Sequence, residues 1–439
     1  MKSSLRKWFL TMVGLLMLLG CEVTPEKIQL WKGTKNGPKK LAGTLIDSTV
    51  PMDLRASAAV ALVEIRSWEL FRDAFTKMKK EQAAELVDAV APVLAKLAEG
   101  EKAEKSGLTK LQVDAKDALF ILLDYAANTG KAEAERALIK WCTEDYNVRA
   151  MAGQYNIRTI VRKIGAPAAA ALTQLLKTDE IVVKYVAELI REVNDPDVLV
   201  KASAMFAAEL KANIAKIEEV HLVAASIIGG DGIATLMLEL ATDTKLSPKL
   251  QRYALRAFSD GIHKKTINLE EKYIETLFSL AENTAVDQYQ REEAYYVIAQ
   301  AKRKQDLPRV RKLMSAPDAF WRAVGFRCVL RMDGEGQLLS ALEELGKLGV
   351  GNSRDEVDEI IARVISFPDL KSKVVAGLKS SSAFVRGAAV AVLAQKGTKS
   401  DVGSLKAYNG DKMKLPKGFE HRTLGEAVKA AIMAISKRG

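Results

Sequence analysis

One pattern returns seven times along this chain: a short turn-forming stretch, a basic residue, and then a small side chain three positions on. Aligned on the basic position, segments 50–55, 144–149, 179–184, 247–252, 286–291, 317–322 and 381–386 fall into register, ending in Arg55, Arg149, Lys184, Arg252, Arg291, Arg322 and Arg386. The small residues are Ala58, Ala152, Ala187, Ala294, Gly325 and Ala389, and Leu255 is the exception. Seven positions beyond the basic residue, four copies carry Leu62, Ile298, Val329 or Leu393 on the same helical face. Each copy is therefore predicted to open an amphipathic helix, and its small residue admits a neighbouring helix at close range.

Spacing makes the pattern a repeat. The intervals 149 to 184, 252 to 291 and 291 to 322 are 35, 39 and 31 residues, while 184 to 252 and 322 to 386 are 68 and 64, about twice that period. Weaker helical stretches at Glu219–Ile228 and Asp355–Ile365 fill those gaps, and Asp114–Leu123 precedes Arg149 by one further period. After several copies comes a glycine, a short polar or proline-containing stretch and a second apolar segment, as at Gly165, Gly230 and Gly397. Glycine ends the first helix there, and the residues after it start the second. The chain is rich in Ala, Leu, Lys and Glu and only 6% aromatic, a composition for helices nearly throughout. The expected fold is all-α, an α-solenoid of roughly eleven helix pairs spanning 28–439, with each pair burying its apolar faces against its neighbours.

Phe384-Val385-Arg386-Gly387-Ala388-Ala389 and the following Leu393, with Leu54-Arg55-Ala56-Ser57-Ala58 and the following Leu62, resemble the HEAT repeat. The resemblance runs over most of the chain, though Phe71–Lys105 fits poorly. It implies that the recurring arginine bridges a turn carbonyl or an acid within or between repeats, and that arrays of this kind bind other proteins through contiguous faces.

The amino terminus has a different character. Lys2, Arg6 and Lys7 precede an apolar run from Trp8 to Leu19, broken only by Thr11. This is the order of a secretory signal and too short for a stable membrane span of roughly 20 residues. The run closes on Leu18-Leu19-Gly20-Cys21, which resembles the lipobox of bacterial lipoproteins. That resemblance implies a signal peptide over 1–20, a lipid on Cys21, a lipidated tether over 21–27, and an address in the bacterial envelope. Glu22 in place of Asp leans towards the outer membrane rather than the inner. Loss of the three basic residues lowers the net charge from +11 to +8, a balance that permits anionic partners without demanding one. No nucleic-acid partner is expected of an exported chain.

No catalytic constellation is visible. His221, His263 and His421 stand apart, without His-Glu-x-x-His or Cys-x-x-Cys spacing for a metal. Nucleophile-elbow and phosphate-loop motifs are missing as well, so no cofactor and no metal are expected. Gly229–Gly232 reads as an inter-helix turn, and the lysine-rich stretches 77–80, 101–105 and 412–417 read as solvated loops. Cys142 and Cys328 lie about five repeats apart, far beyond the roughly 7 Å Cα separation that a disulfide needs, and are expected to stay reduced. Tyr289, Tyr295, Tyr296, Phe320 and Trp321 cluster on adjacent repeats and are the candidate partner-binding residues, aromatics being dominant at hot spots. The expectation is a membrane-anchored, non-catalytic scaffold for a protein partner. The rivals are a binder of an anionic envelope polymer or lipid head group, and a repeat-fold enzyme.

Overall fold

A computed structural model describes residues 22–100, 107–144, 146–179 and 182–438, with no side-chain description for Tyr146 and Asn147. The expected signal peptide over 1–20, Cys21 and the lysine-rich stretch 101–105 lie outside the described residues.

The chain divides into two compact units, 1–233 and 234–439. In the first, α1 (Pro25–Lys32), α2 (Gly37–Ile46), α3 (Met52–Glu64), α4 (Trp68–Lys77), α5 (Lys80–Glu99), α6 (Lys110–Leu122) and α7 (Asn128–Thr143) are followed by a single turn, α8 (Tyr146–Arg149). Then come α9 (Ile157–Ile164), α10 (Ala166–Leu172), α11 (Val183–Val193), α12 (Pro196–Ala212), α13 (Glu219–Ile228) and α14 (Asp231–Thr242), inside which the division falls. The second unit continues with α15 (Pro248–His263), α16 (Glu271–Glu282), α17 (Gln288–Gln300), α18 (Leu307–Arg311), α19 (Ala319–Lys347), α20 (Arg354–Ile365), α21 (Lys371–Gly377), α22 (Ala383–Lys396), α23 (Val402–Lys406) and α24 (Leu424–Arg438).

Within each unit a helix packs on its partner in the hairpin and on the helix one repeat further on. In the first unit the chain of contacts runs α3, α5, α7, α9, α11, α13; in the second it runs α15, α17, α19, α22, α24. Stacking of hairpins upon hairpins is the α-solenoid architecture. Among the described residues the only extended pairing is one bridge, Lys414 with Thr423.

The small residues of the repeat are where close packing needs them. Ala58, Ala187, Ala294 and Ala389 are buried, as are Leu62, Ile298, Val329 and Leu393. A Cβ on Gly325 would sit 2.7 Å from the Leu313 Cβ and 2.8 Å from the Met314 nitrogen, so only glycine lets α19 come this near the turn before it. Helix starts follow capping chemistry: Ser247, Ser353 and Ser382 each accept a backbone N–H of the first turn.

Three sequence expectations need correction. Within 21–27, expected as a tether, helix already runs from Pro25 through Lys27, because Thr24 caps α1 and Pro25 pre-sets its first turn. Arg149 does not open a long helix: α8 stops after one turn, Gly153 takes φ +82, and the helix restarts at Ile157 under an Asn156 cap. Ala152 is thus in a turn rather than on a helix face. Phe71–Lys105, the poor fit, takes in most of α4 and the whole of the twenty-residue α5 with Pro92 inside it. The helix opened by Arg322 also carries a break, since Asp333 adopts φ −154, ψ 63 and bends α19 into two segments.

Candidate functional site

The basic positions of the repeat come first, because they could have formed a binding ladder. Four of the seven are instead occupied with main-chain work. Arg55 donates from Nε to the Leu45 carbonyl at 3.1 Å, Arg291 to the Ala281 carbonyl at 2.8 Å, and Arg386 to the Leu378 carbonyl at 2.8 Å. Each acceptor lies at the carboxyl end of the preceding helix (α2, α16 and α21), where carbonyls lack intrahelical partners. The guanidinium therefore closes one helix while opening the next, with its positive charge at the favourable end of the helix dipole. Arg322 does the same for the Ala316 and Pro317 carbonyls.

The rest of each guanidinium reaches forward. Arg322 pairs with Glu356 and Arg386 with Asp411, while Arg291 lies 4.4 Å from the Trp321 ring centre. Exposed pairs about one period apart add to this: Lys32 with Glu64, Arg162 with Glu192, and Arg309 with Glu282. Such pairs contribute about 0–1 kcal/mol each.

The five candidate aromatics split. Tyr295 and Tyr296 are core residues, 4% and 8% exposed. Tyr295 meets Trp321 and Phe278 edge-on, and Tyr296 donates to Glu292 under the Arg327 guanidinium. Burial pushes the Tyr295 hydroxyl up to about 12. Neither ring can reach a partner in this conformation, so both leave the candidate set. Tyr289 is 65% exposed and stands edge-on to Phe320 at 6.3 Å, which in turn meets Trp321 at 5.2 Å. Phe320 and Trp321 are half-buried.

Phe320 also forms one lip of a cleft of about 390 Å³ between α19 and α20. Its floor is apolar, made by Ala323, Val324, Val350 and Ile360, and its rim carries Arg322, Arg363, Asp355, Glu356 and Glu359. Arg363 pairs with Glu359 at 2.6 Å, and Arg322 with Glu356. An apolar floor, an aromatic lip and a rim of both charges suit a side chain of another protein better than a small charged metabolite.

A buried polar cluster in the first unit gave no signal in the sequence. Lys116 is 0% exposed. Its ammonium donates to the Asp117 carboxylate and to the Ala152 and Tyr155 carbonyls, the last two at 2.8 and 2.5 Å. Asp117 in turn accepts the Gln154 and Tyr155 backbone N–H groups at 2.8 and 3.2 Å. Beside them Asp114 takes a bidentate bond from Arg66 at 2.6 and 2.8 Å. Burial depresses the Lys116 ammonium, and the Asp117 hydrogen bond opposes the shift. Two ammonium bonds reach loop 150–156 directly and the third holds Asp117, which itself accepts two N–H groups of that loop, so the cluster is a clamp on it.

Cys142 and Cys328 are free and fully buried, and burial pushes both thiols up, Cys142 to about 12. His221 is buried, accepts the Glu218 backbone N–H through Nδ1, and is held below the ordinary histidine range chiefly by desolvation. Among the described residues no group of three or more His, Cys, Asp and Glu side chains could hold a metal, and no helix is long and apolar enough to cross a membrane.

No family model matches the chain, and no curated protein matches it. Among solved structures it is similar to the karyopherin in the crystal structure of Kap121p bound to the extreme C-terminus of the protein phosphatase Cdc14p, at 12% identity and a TM-score of 0.23. The match covers 91% of this chain and 48% of the karyopherin, so the chain spans about half that neighbour's length.

Proposed function

We propose that this is a lipid-anchored envelope protein whose helical array is a non-catalytic docking scaffold for another protein. The observation that carries the reading is the exposed Tyr289 against the half-buried Phe320 at the lip of an apolar cleft, on arginine-capped repeats whose cores are otherwise closed. Repeat arrays use contiguous faces of stacked hairpins to bind, and well-packed aromatics dominate binding energies at such faces. The anchor is Cys21, after the apolar run that ends at Gly20. Two or more acyl chains there give stable attachment, because each buried methylene contributes about 0.8 kcal/mol.

The test is affinity isolation of the full-length protein and of Tyr289→Ala and Phe320→Ala. Recovery of one protein at stoichiometric yield, lost in both variants at unchanged thermal stability, supports the scaffold. Retention of a polysaccharide or lipid that washes off with salt and ignores both substitutions supports the anionic-polymer reading that the +8 charge favours.

A further inference from the structure

The reach of the anchor gives the first hairpin a position. From Cys21 to Pro25 there are four residue steps, and a fully extended chain covers at most about 3.6 Å per step. The start of α1 is therefore held within about 14 Å of a lipid on Cys21, whereas the headgroup zone of one leaflet is itself roughly 5–7 Å deep. The amino-terminal end of α1 is thereby kept at the membrane surface.

The residues of that hairpin suit the place. Residues 22–40 contain Lys27, Lys32, Lys35, Lys39 and Lys40 against Glu22 and Glu26. Glu64 pairs with Lys32 at 2.7 Å, and the Lys40 ammonium lies 5.6 Å from the Trp31 ring centre. Lys35 and Lys39 are exposed. Leu30 is 67% exposed, near the end of α1, where an apolar side chain in water gains nothing. Leucine and tryptophan enter the headgroup boundary while lysines follow its phosphates.

We propose that the α1–α2 hairpin lies against the bilayer that holds the anchor, with Leu30 in the interface and Lys35 and Lys39 on anionic lipid phosphates. This rests on the reading of Cys21 as the lipid site. The array would then meet its partner from a hairpin fixed at the surface rather than from a loose stalk.

The test uses the processed, lipidated protein in vesicles containing about one-third phosphatidylglycerol, in pure phosphatidylcholine vesicles, and in detergent. Amine-labelling rates of Lys35, Lys39 and Lys40 are read by peptide mass spectrometry against an added lysine peptide. The expected result is labelling of Lys35, Lys39 and the adjacent Lys40 slowed roughly threefold or more on the anionic vesicles alone, and restored by high salt as counter-ions screen the surface. In Lys35→Glu with Lys39→Glu, membrane retention should persist while slowed labelling of Lys40 disappears. Equal rates in all three media would overturn the hairpin contact. The same spectra give the mass of the Cys21 peptide: a bare thiol there overturns the anchor reading itself, and an acylated peptide with unprotected lysines overturns only the contact.

Discussion

Arg149 and Arg386 stand at the same position of the same repeat, yet their surroundings have little in common. Around Arg386 the pattern works as a self-contained joint: a serine cap, a helix that runs to Lys396, and a guanidinium that closes the helix behind it. At Arg149 the helix ends at once, and the guanidinium lies 4.7 Å from the Trp141 ring centre. Loop 150–156 is clamped instead by Lys116 and Asp117, side chains from α6 more than thirty residues earlier. The difference teaches that the repeat can lose its helix without losing its place in the stack, provided that a buried ion pair takes over the backbone groups the helix had satisfied.

The largest test of that contrast removes the ammonium. Lys116→Met leaves the Asp117 carboxylate buried with only two backbone donors, and should cost about 3–5 kcal/mol, as breaking a buried pair does. Hydrogen exchange of amides 150–157 should show it as local opening, and pairing the change with Asp117→Asn should recover part of the loss. If exchange there stayed as in the parent, the clamp would be decoration.

Gly153→Ala probes the same loop from the other side. At φ +82 a Cβ would lie 2.7 Å from both the Asp117 Oδ2 and the Lys116 Nζ, so strain and displacement of the pair should together cost about 2–3 kcal/mol. A smaller effect belongs to the regular joint. Arg386→Ala should cost about 2 kcal/mol through a lost charged hydrogen bond to a carbonyl, seen as a lower melting temperature with partner binding of the folded protein intact. Binding lost at full stability would mark the arginines as a recognition ladder after all.

Alkali separates the two units last. The Cys328 thiol and the Tyr295 and Tyr296 hydroxyls in the second unit are all raised by burial. Their stabilisation is whole below the unfolded values, near 9 and 10, and is lost as pH climbs towards 12. In the first unit Cys142 behaves likewise, but Lys116 has the opposite sign: depressed when folded, it releases its proton before the unfolded chain does, so rising pH favours the fold there. Loss on the order of 1–2 kcal/mol at pH 10 should therefore show in α17 and α19 before it shows in α6 and α7, read by hydrogen exchange corrected for its intrinsic pH dependence.

Much of this architecture was legible in the chain. The register of Arg55, Arg291 and Arg386 with a buried alanine three positions on needs only local helical geometry, which sequence spacing records directly. Gly153 and Asn156 carried the stop signal that ends the Arg149 helix, but the matching Ala152 masked it. Lys116 was illegible for a deeper reason. In sequence it is one charge on an ordinary helix, and its partners are carbonyls 36 and 39 residues away that become available only once loop 150–156 is in place. Two of the five candidate aromatics are buried for the same cause: adjacent tyrosines on α17 leave open which neighbour will cover them, and Trp321 and Arg327 cover both.

The arginine caps have a consequence for how such a chain can change its length. Arg55 and Arg291 each close a helix only ten residues upstream, and Arg386 one eight residues upstream. A whole period can be duplicated or deleted between two such arginines and every helix end still finds its own arginine beside it. Growth by copying is thus cheap across those joints. Around Lys116, whose bonds span a full period, a copied segment would arrive without its counterpart, and that stretch is fixed as a single heritable piece.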